Sequence, residues 1–136
     1  MGIREVNPSE NFVIFKACVR NWYWDPRLMW DPSKFGGVEK TYFKLDTDVG
    51  TRLWYPDTAI EEDAGDDTLS NFKWTDASVN YTGHVYTSRF GDLKVSFNFY
   101  VKHYPWDEHR VNITFEPWTY TDDRLILVPS RKPFYS

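Results

Sequence analysis

An all-β fold, a β-sandwich of short antiparallel strands, is what this sequence predicts, and three observations predict it. Aromatic residues make up 19% of the chain, as seven Trp, nine Tyr and ten Phe, and flat rings pack well on pleated surfaces. Met, a good helix former, occurs only twice. Apolar runs of strand length recur along the chain, punctuated by Pro, Gly, Asn and Asp. The 136 residues, 41% hydrophobic and 26% charged, suit one globular domain with a single core.

Each element follows from local chemistry. Residues 1–11 read as a polar lead-in broken at Asn7-Pro8-Ser9. Phe12–Trp24 is a long strand rich in β-branched and aromatic side chains. Asp25-Pro26 and Asp31-Pro32 end it, because proline cannot donate to a ladder and restricts the residue before it. Arg27-Leu28-Met29-Trp30 between them is a connecting turn or short strand, and Phe35-Gly36-Gly37 is a bend. Further strands are expected at 38–45, 71–81, 84–89, 92–103 and 111–115, with another beginning at 125–128. Leu53-Trp54-Tyr55-Pro56-Asp57 is a short aromatic segment ending in a turn signal, and 61–67 is an acidic, solvated loop. The sandwich therefore spans 12–128, with 129–136 as a tail and no internal repeat or second domain.

Composition excludes several functions. A net charge of −4 and scattered Lys and Arg give no nucleic-acid footprint and no patch for an anionic membrane. No stretch approaches the roughly 18 apolar residues of a membrane span. Met1 to Pro8 lacks the apolar core of a secretory leader, which leaves the compartment open. The one cysteine, Cys18, allows no internal disulfide and sits in an apolar run as a buried, inert thiol. Two N-glycosylation tripeptides, Asn80-Tyr81-Thr82 and Asn112-Ile113-Thr114, matter only if the chain is secreted. No catalytic motif is present, so no enzyme and no cofactor are expected. His103, Asp107, Glu108 and His109 lack a metal-ligand spacing, and the acidic run lacks that of a calcium loop, so no metal site is expected either.

Four segments, in order, resemble the extracellular domain of the nicotinic acetylcholine receptor and its Cys-loop relatives. Asp25-Pro26-Arg27-Leu28-Met29-Trp30-Asp31-Pro32-Ser33-Lys34-Phe35-Gly36-Gly37-Val38 resembles D-x-R-L-x-W-x-P-x-x-aromatic-G-G-aliphatic. Trp54-Tyr55-Pro56-Asp57 is similar to the W-x-P-D that opens binding loop A. Tyr104-Pro105-Trp106-Asp107-Glu108 is similar to the F-P-F-D-x-Q tip of the Cys loop. Phe115-Glu116-Pro117-Trp118-Thr119-Tyr120 is similar to the W-T-Y of binding loop B. The resemblance implies an immunoglobulin-like sandwich of the neurotransmitter-gated channel ligand-binding-domain type, incomplete at its C-terminal end and cut before loop C. It also implies a pentamer of like or unlike subunits on the extracellular face of a membrane. The two Cys-loop positions fall on Phe97 and Val111, an apolar pair whose packing would offset a disulfide contribution of roughly 3 kcal/mol.

In that family a cationic ligand sits in an aromatic cage at a subunit interface. By resemblance Trp118 and Tyr120 are candidate cage residues. The loop D position falls near Cys18, with Trp22, Tyr23 and Trp24 bunched close by, so Trp22 and Trp24 are candidates as well. The loop A aromatic aligns with Glu61 or a close neighbour. Tyr104, Pro105, Trp106 and Asp107 form a candidate interaction loop, which in the channels presses on the membrane domain. Asp25, Arg27, Trp30, Trp54, Pro56 and Asp57 are expected to be structural, with Arg27 able to fork onto a carboxylate. Two readings stay open: a receptor domain with a small cationic ligand, and a sandwich kept as an accessory interaction subunit of a larger assembly.

Overall fold

The computed structural model describes residues 2–45, 53–65, 67–103, 105–121 and 123–130. Strands dominate it. The first two, β1 (Gly2–Asn7) and β2 (Phe12–Trp24), pair antiparallel, with an irregularity between Ile3 and Glu5. Residues 2–7 are thus a strand where a polar lead-in was expected. β1 buries almost nothing, so its apolar pattern carries no signal; ladder bonds to β2 hold it instead.

After β2, Asp25 and Asp31 each cap a short 3-10 turn, Pro26–Leu28 and Pro32–Phe35, by accepting from the backbone N–H two residues on. The chain then gives β3 (Lys40–Phe43), β4 (Thr58–Ile60), a 3-10 turn at Thr68–Asn71, β5 (Lys73–Trp74), β6 (Ala77–Asn80), β7 (His84–Ser96) and β8 (Phe115–Pro117). One sheet of six strands runs β1-β2-β7-β6-β3, with β5 on the same edge of β7 as β6, and β4 pairs with β8 in a second sheet. The all-β sandwich is what the sequence predicts.

β7 is one strand where two were expected. Gly91, in the gap between the two expected strands, lies inside it, where a Cβ would come within 2.6 Å of the Phe72 ring. β7 pairs with all thirteen residues of β2, from Phe12 opposite Ser96 to Trp24 opposite His84. On the sheet's inner face Phe15, Ala17 and Val19 of β2 and Leu93 and Val95 of β7 meet Ile60, Leu69 and Phe72. Val111 and Ile113 close over this cluster from the other side.

Several expected strands are shorter, split or missing among the described residues: 71–81 divides into β5 and β6, and 92–103 ends at Ser96. Ladder bonding in the segment 111–115 begins only at Phe115, although Val111 and Ile113 still point inward. Residues 125–128 keep the alternation of half-buried and exposed positions without a strand partner. The acidic segment 61–67 is not free in solvent, since it is laced to the edge of β7. Asp63 bridges Val95, Ala64 N donates to Lys94 O, and Ser96 N donates to Glu62 O.

Candidate functional site

Asp25 and Arg27 form a fork. Arg27 Nε and Nη2 donate to the Asp25 carboxylate at 2.9 and 2.7 Å, and Arg27 N donates to Asp25 Oδ1 at 3.0 Å. These bonds hold the Asp25 carboxyl below its ordinary value, outweighing the effect of its burial. The same turn is clipped to the β6–β7 hairpin, with Asp25 N donating to Gly83 O and Trp30 N to Tyr81 O. Trp30 is fixed in turn by its Nε1, which donates to Val38 O at 2.7 Å.

Tyr23, on the inner face of β2, donates its hydroxyl to the Trp54 carbonyl, and the two rings meet edge to face at 5.2 Å. Burial, and then the charge of Asp25, push the Tyr23 phenol up to about 12. Pro56 is buried beside this pair. Asp57 Oδ2 accepts from Thr119 N at 2.8 Å, a bond that joins the Trp54–Asp57 and Trp118–Tyr120 segments across 62 residues of chain. The tether leaves the Trp118 side chain standing free, 76% exposed, with Tyr120 beside it in sequence and less exposed.

Trp22 and Trp24 lie elsewhere. They project from the face of β2 opposite to the core, with Trp22 packed on the Tyr86 ring at 5.2 Å and Trp24 Nε1 donating to Thr82 O at 2.9 Å. Cys18 shares that face and is exposed, not buried as the apolar run around it suggested. Trp22 and Trp24 thus leave β2 on the face opposite to Tyr23, whose ring meets Trp54, while the Trp118 segment is tied to Asp57.

The candidate interaction loop folds back on itself. Asp107 Oδ1 accepts from His103 N at 2.7 Å, Trp106 N donates to His103 O at 2.8 Å, and Trp106 is 88% exposed. Pro105 is exposed between them; Tyr104 lies outside the described residues. Phe97 packs edge to face on Phe99 and His109, while Val111 joins the core cluster. Packed side chains stand where the family's disulfide would link two cysteines.

Arg89 is a buried cation that the sequence reading missed. Its side chain lies on the inner face of β7 at 6% exposure, over the Trp74 ring, whose other neighbour is Tyr55. Its Nη atoms donate to Leu69 O, Thr58 O and Thr58 Oγ1, spanning from the large sheet to β4 and the turn before β5. Burial pushes its pKa down, and Asp67, Tyr55 and Asp57 act against that shift. Strand parity held the signal, since position 89 shares its face with Val85, Leu93 and Val95. A half-open cavity of about 920 Å³ opens nearby along residues 18–23 of β2, Trp22 among them, and residues 113–115 and 125–130, with Trp54, Pro56 and Thr58 also in its wall. No cluster of His, Cys, Asp and Glu able to hold a metal occurs among the described residues.

The order of these landmarks is matched end to end elsewhere. The sequence profile of the neurotransmitter-gated ion-channel ligand binding domain matches residues 1–134. The chain belongs to that family. Among curated relatives, the acetylcholine receptor subunit beta-like 2 of Drosophila melanogaster is 29% identical over 90% of this chain and 22% of its own length. The acetylcholine receptor subunit alpha-1-B of Xenopus laevis is 32% identical over 79% of this chain and 22% of its own length. The proton-gated ion channel subunit pbo-6 of Caenorhabditis elegans is 26% identical over 98% of this chain and 30% of its own length. The chain thus spans between a fifth and a third of the relatives it matches. The family is the extracellular domain of membrane receptors. No helix among the described residues is long and apolar enough to cross a membrane.

Proposed function

We propose that this chain is the ligand-binding portion of a subunit of a pentameric ligand-gated channel, facing the outside of a membrane and assembled with other subunits. One observation carries the reading furthest: Asp57 ties the Trp54–Asp57 segment to the Trp118–Tyr120 segment and leaves the Trp118 side chain open. An exposed indole is the best ring for a cation, worth about 0.5–2 kcal/mol depending on desolvation. Trp22 and Trp24 lie on the far face of the same domain, so a cage using both sets takes them from adjacent subunits. Trp118 and Tyr120 then form one half of the ligand site, Trp22 and Trp24 the other. The loop carrying Pro105, Trp106 and Asp107 is the contact to the membrane domain or a neighbouring subunit, since an exposed Trp at a loop tip needs a partner surface. Asp25, Arg27, Trp30, Trp54, Pro56 and Asp57 brace the turns that carry these surfaces.

The experiment is ligand-evoked current from the full-length gene product in oocytes, challenged in turn with acetylcholine and with acid steps, since relatives of both kinds match. A current that weakens in Trp118→Ala supports the reading. Its absence, with surface protein present, removes it.

A second reading, an accessory interaction subunit, draws on the packed side chains of Phe97 and Val111 at the positions of the disulfide. Multi-angle light scattering on the purified full-length protein separates the two. Five copies of channel-type subunits favour the receptor, and a stable complex with unrelated subunits favours the accessory role.

A further inference from the structure

The two Asn-x-Thr tripeptides take no part in the ligand reading, and the structure sets them apart. Asn112 is exposed in a run where Val111 and Ile113 pack against the core and the alternate residues face out. Its carboxamide makes no hydrogen bond among the described residues. Beyond it, Thr114 N and Oγ1 both donate to the Glu62 carboxylate at 2.7 Å, which fixes the backbone and keeps residue 112 turned outward. Asn80, by contrast, ends β6 half-buried. Its Oδ1 accepts from Thr82 Oγ1 at 2.7 Å and from His84 N at 2.9 Å, and the Trp24 indole is bonded to the same turn.

We propose that Asn112 carries an N-linked glycan. A bulky, solubilising group belongs on an outward, exposed side chain, and Asn112 offers one where Asn80 is half-buried in its turn. The donor is an oligosaccharide linked to a lipid pyrophosphate in the secretory lumen. Asn112 Nδ2 forms a bond to the anomeric carbon and gives up one proton. The anomeric carbon–oxygen bond breaks, and its electron pair leaves with the lipid pyrophosphate. Because Thr114 is held by Glu62 in the finished fold, transfer precedes the closing of that contact. The proposal rests on the outward-facing reading given above, since only a chain routed through that lumen meets the donor.

The test uses the full-length gene product expressed in insect cells, with the surface fraction collected by biotinylation. Peptide N-glycosidase F in heavy-oxygen water converts a glycosylated Asn112 to labelled aspartate, which mass spectrometry reads. The expected result is labelling at residue 112 and the loss of one glycan step on a gel in Asn112→Gln, with that step kept in Asn80→Gln. Asn112 makes no bond that Gln would break, so the variant folds. Surface protein with an unlabelled Asn112, or a gel pattern that Asn112→Gln leaves unchanged, overturns the proposal. Protein that never reaches the surface and carries no glycan overturns the outward-facing reading itself, and the glycan with it.

Discussion

Truncating Arg89 tests how the two sheets are held together. Its guanidinium is buried, makes no ion pair with a described carboxylate, and supplies donors to Leu69 O, Thr58 O and Thr58 Oγ1. Arg89→Ala strips a donor from two carbonyls, at about 1–3 kcal/mol for each that stays buried and unpaired. It also forfeits the stack on Trp74, about 0.5–2 kcal/mol, and leaves a void. Against this stands relief from holding a charge in the interior, several kcal/mol in the opposite direction. The balance is a loss of about 2–4 kcal/mol. Arg89→Met keeps the packing and relieves the charge, so its loss is smaller, about 1–2 kcal/mol. Urea unfolding followed by tryptophan fluorescence reads both. With a slope of about 1–3 kcal/mol per molar, the Ala variant moves the midpoint down by about 1–2 M. A midpoint unchanged in Arg89→Ala, or lower in Met than in Ala, refutes the clamp.

Other outcomes follow from the same geometry. Gly83 has φ +84°, and a Cβ there would sit 2.6 Å from Asp25 O, so Gly83→Ala costs about 2 kcal/mol or more in thermal or urea unfolding. The Tyr23 phenol is raised to about 12 from an unfolded value near 10, so its contribution is complete below about pH 10 and is lost as pH rises through about 12. Tyr23→Phe therefore flattens the fall in stability across that alkaline window and leaves the acid limb unchanged. Asp57→Ala removes the acceptor for Thr119 N, costs about 1 kcal/mol of stability, and weakens any ligand response that depends on Trp118.

Much of the frame was legible because burial and turn chemistry write it directly. β2 was readable end to end from its β-branched and aromatic content, and the Asp-Pro turns announced their own caps at Asp25 and Asp31. β1 was not readable, because an edge strand that buries nothing has no apolar period. The gap expected between 84–89 and 92–103 is absent, and Gly91 within it is a strand glycine placed for the Phe72 ring. Residues 125–128 show the reverse failure, an alternation with no ladder among the described residues to complete it. The candidate ligand residues were nameable only through resemblance. Nothing in the spacing of Trp22, Trp24 and Trp118 states that the first two leave β2 on the face opposite to Tyr23. Arg89 needed parity counting along β7, a signal present in the sequence and easily passed over because a buried, unpaired cation runs against expectation.

The most direct measurement is the current evoked by acetylcholine or by acid in cells expressing the full-length gene product, compared between Trp118 and Trp118→Ala at equal surface expression. The account predicts a response whose half-maximal concentration rises about tenfold or more when the ring is removed, the factor expected for a desolvated cation–π contact of about 1.4 kcal/mol or more. A response indifferent to Trp118, or no response from surface-expressed protein, would contradict it.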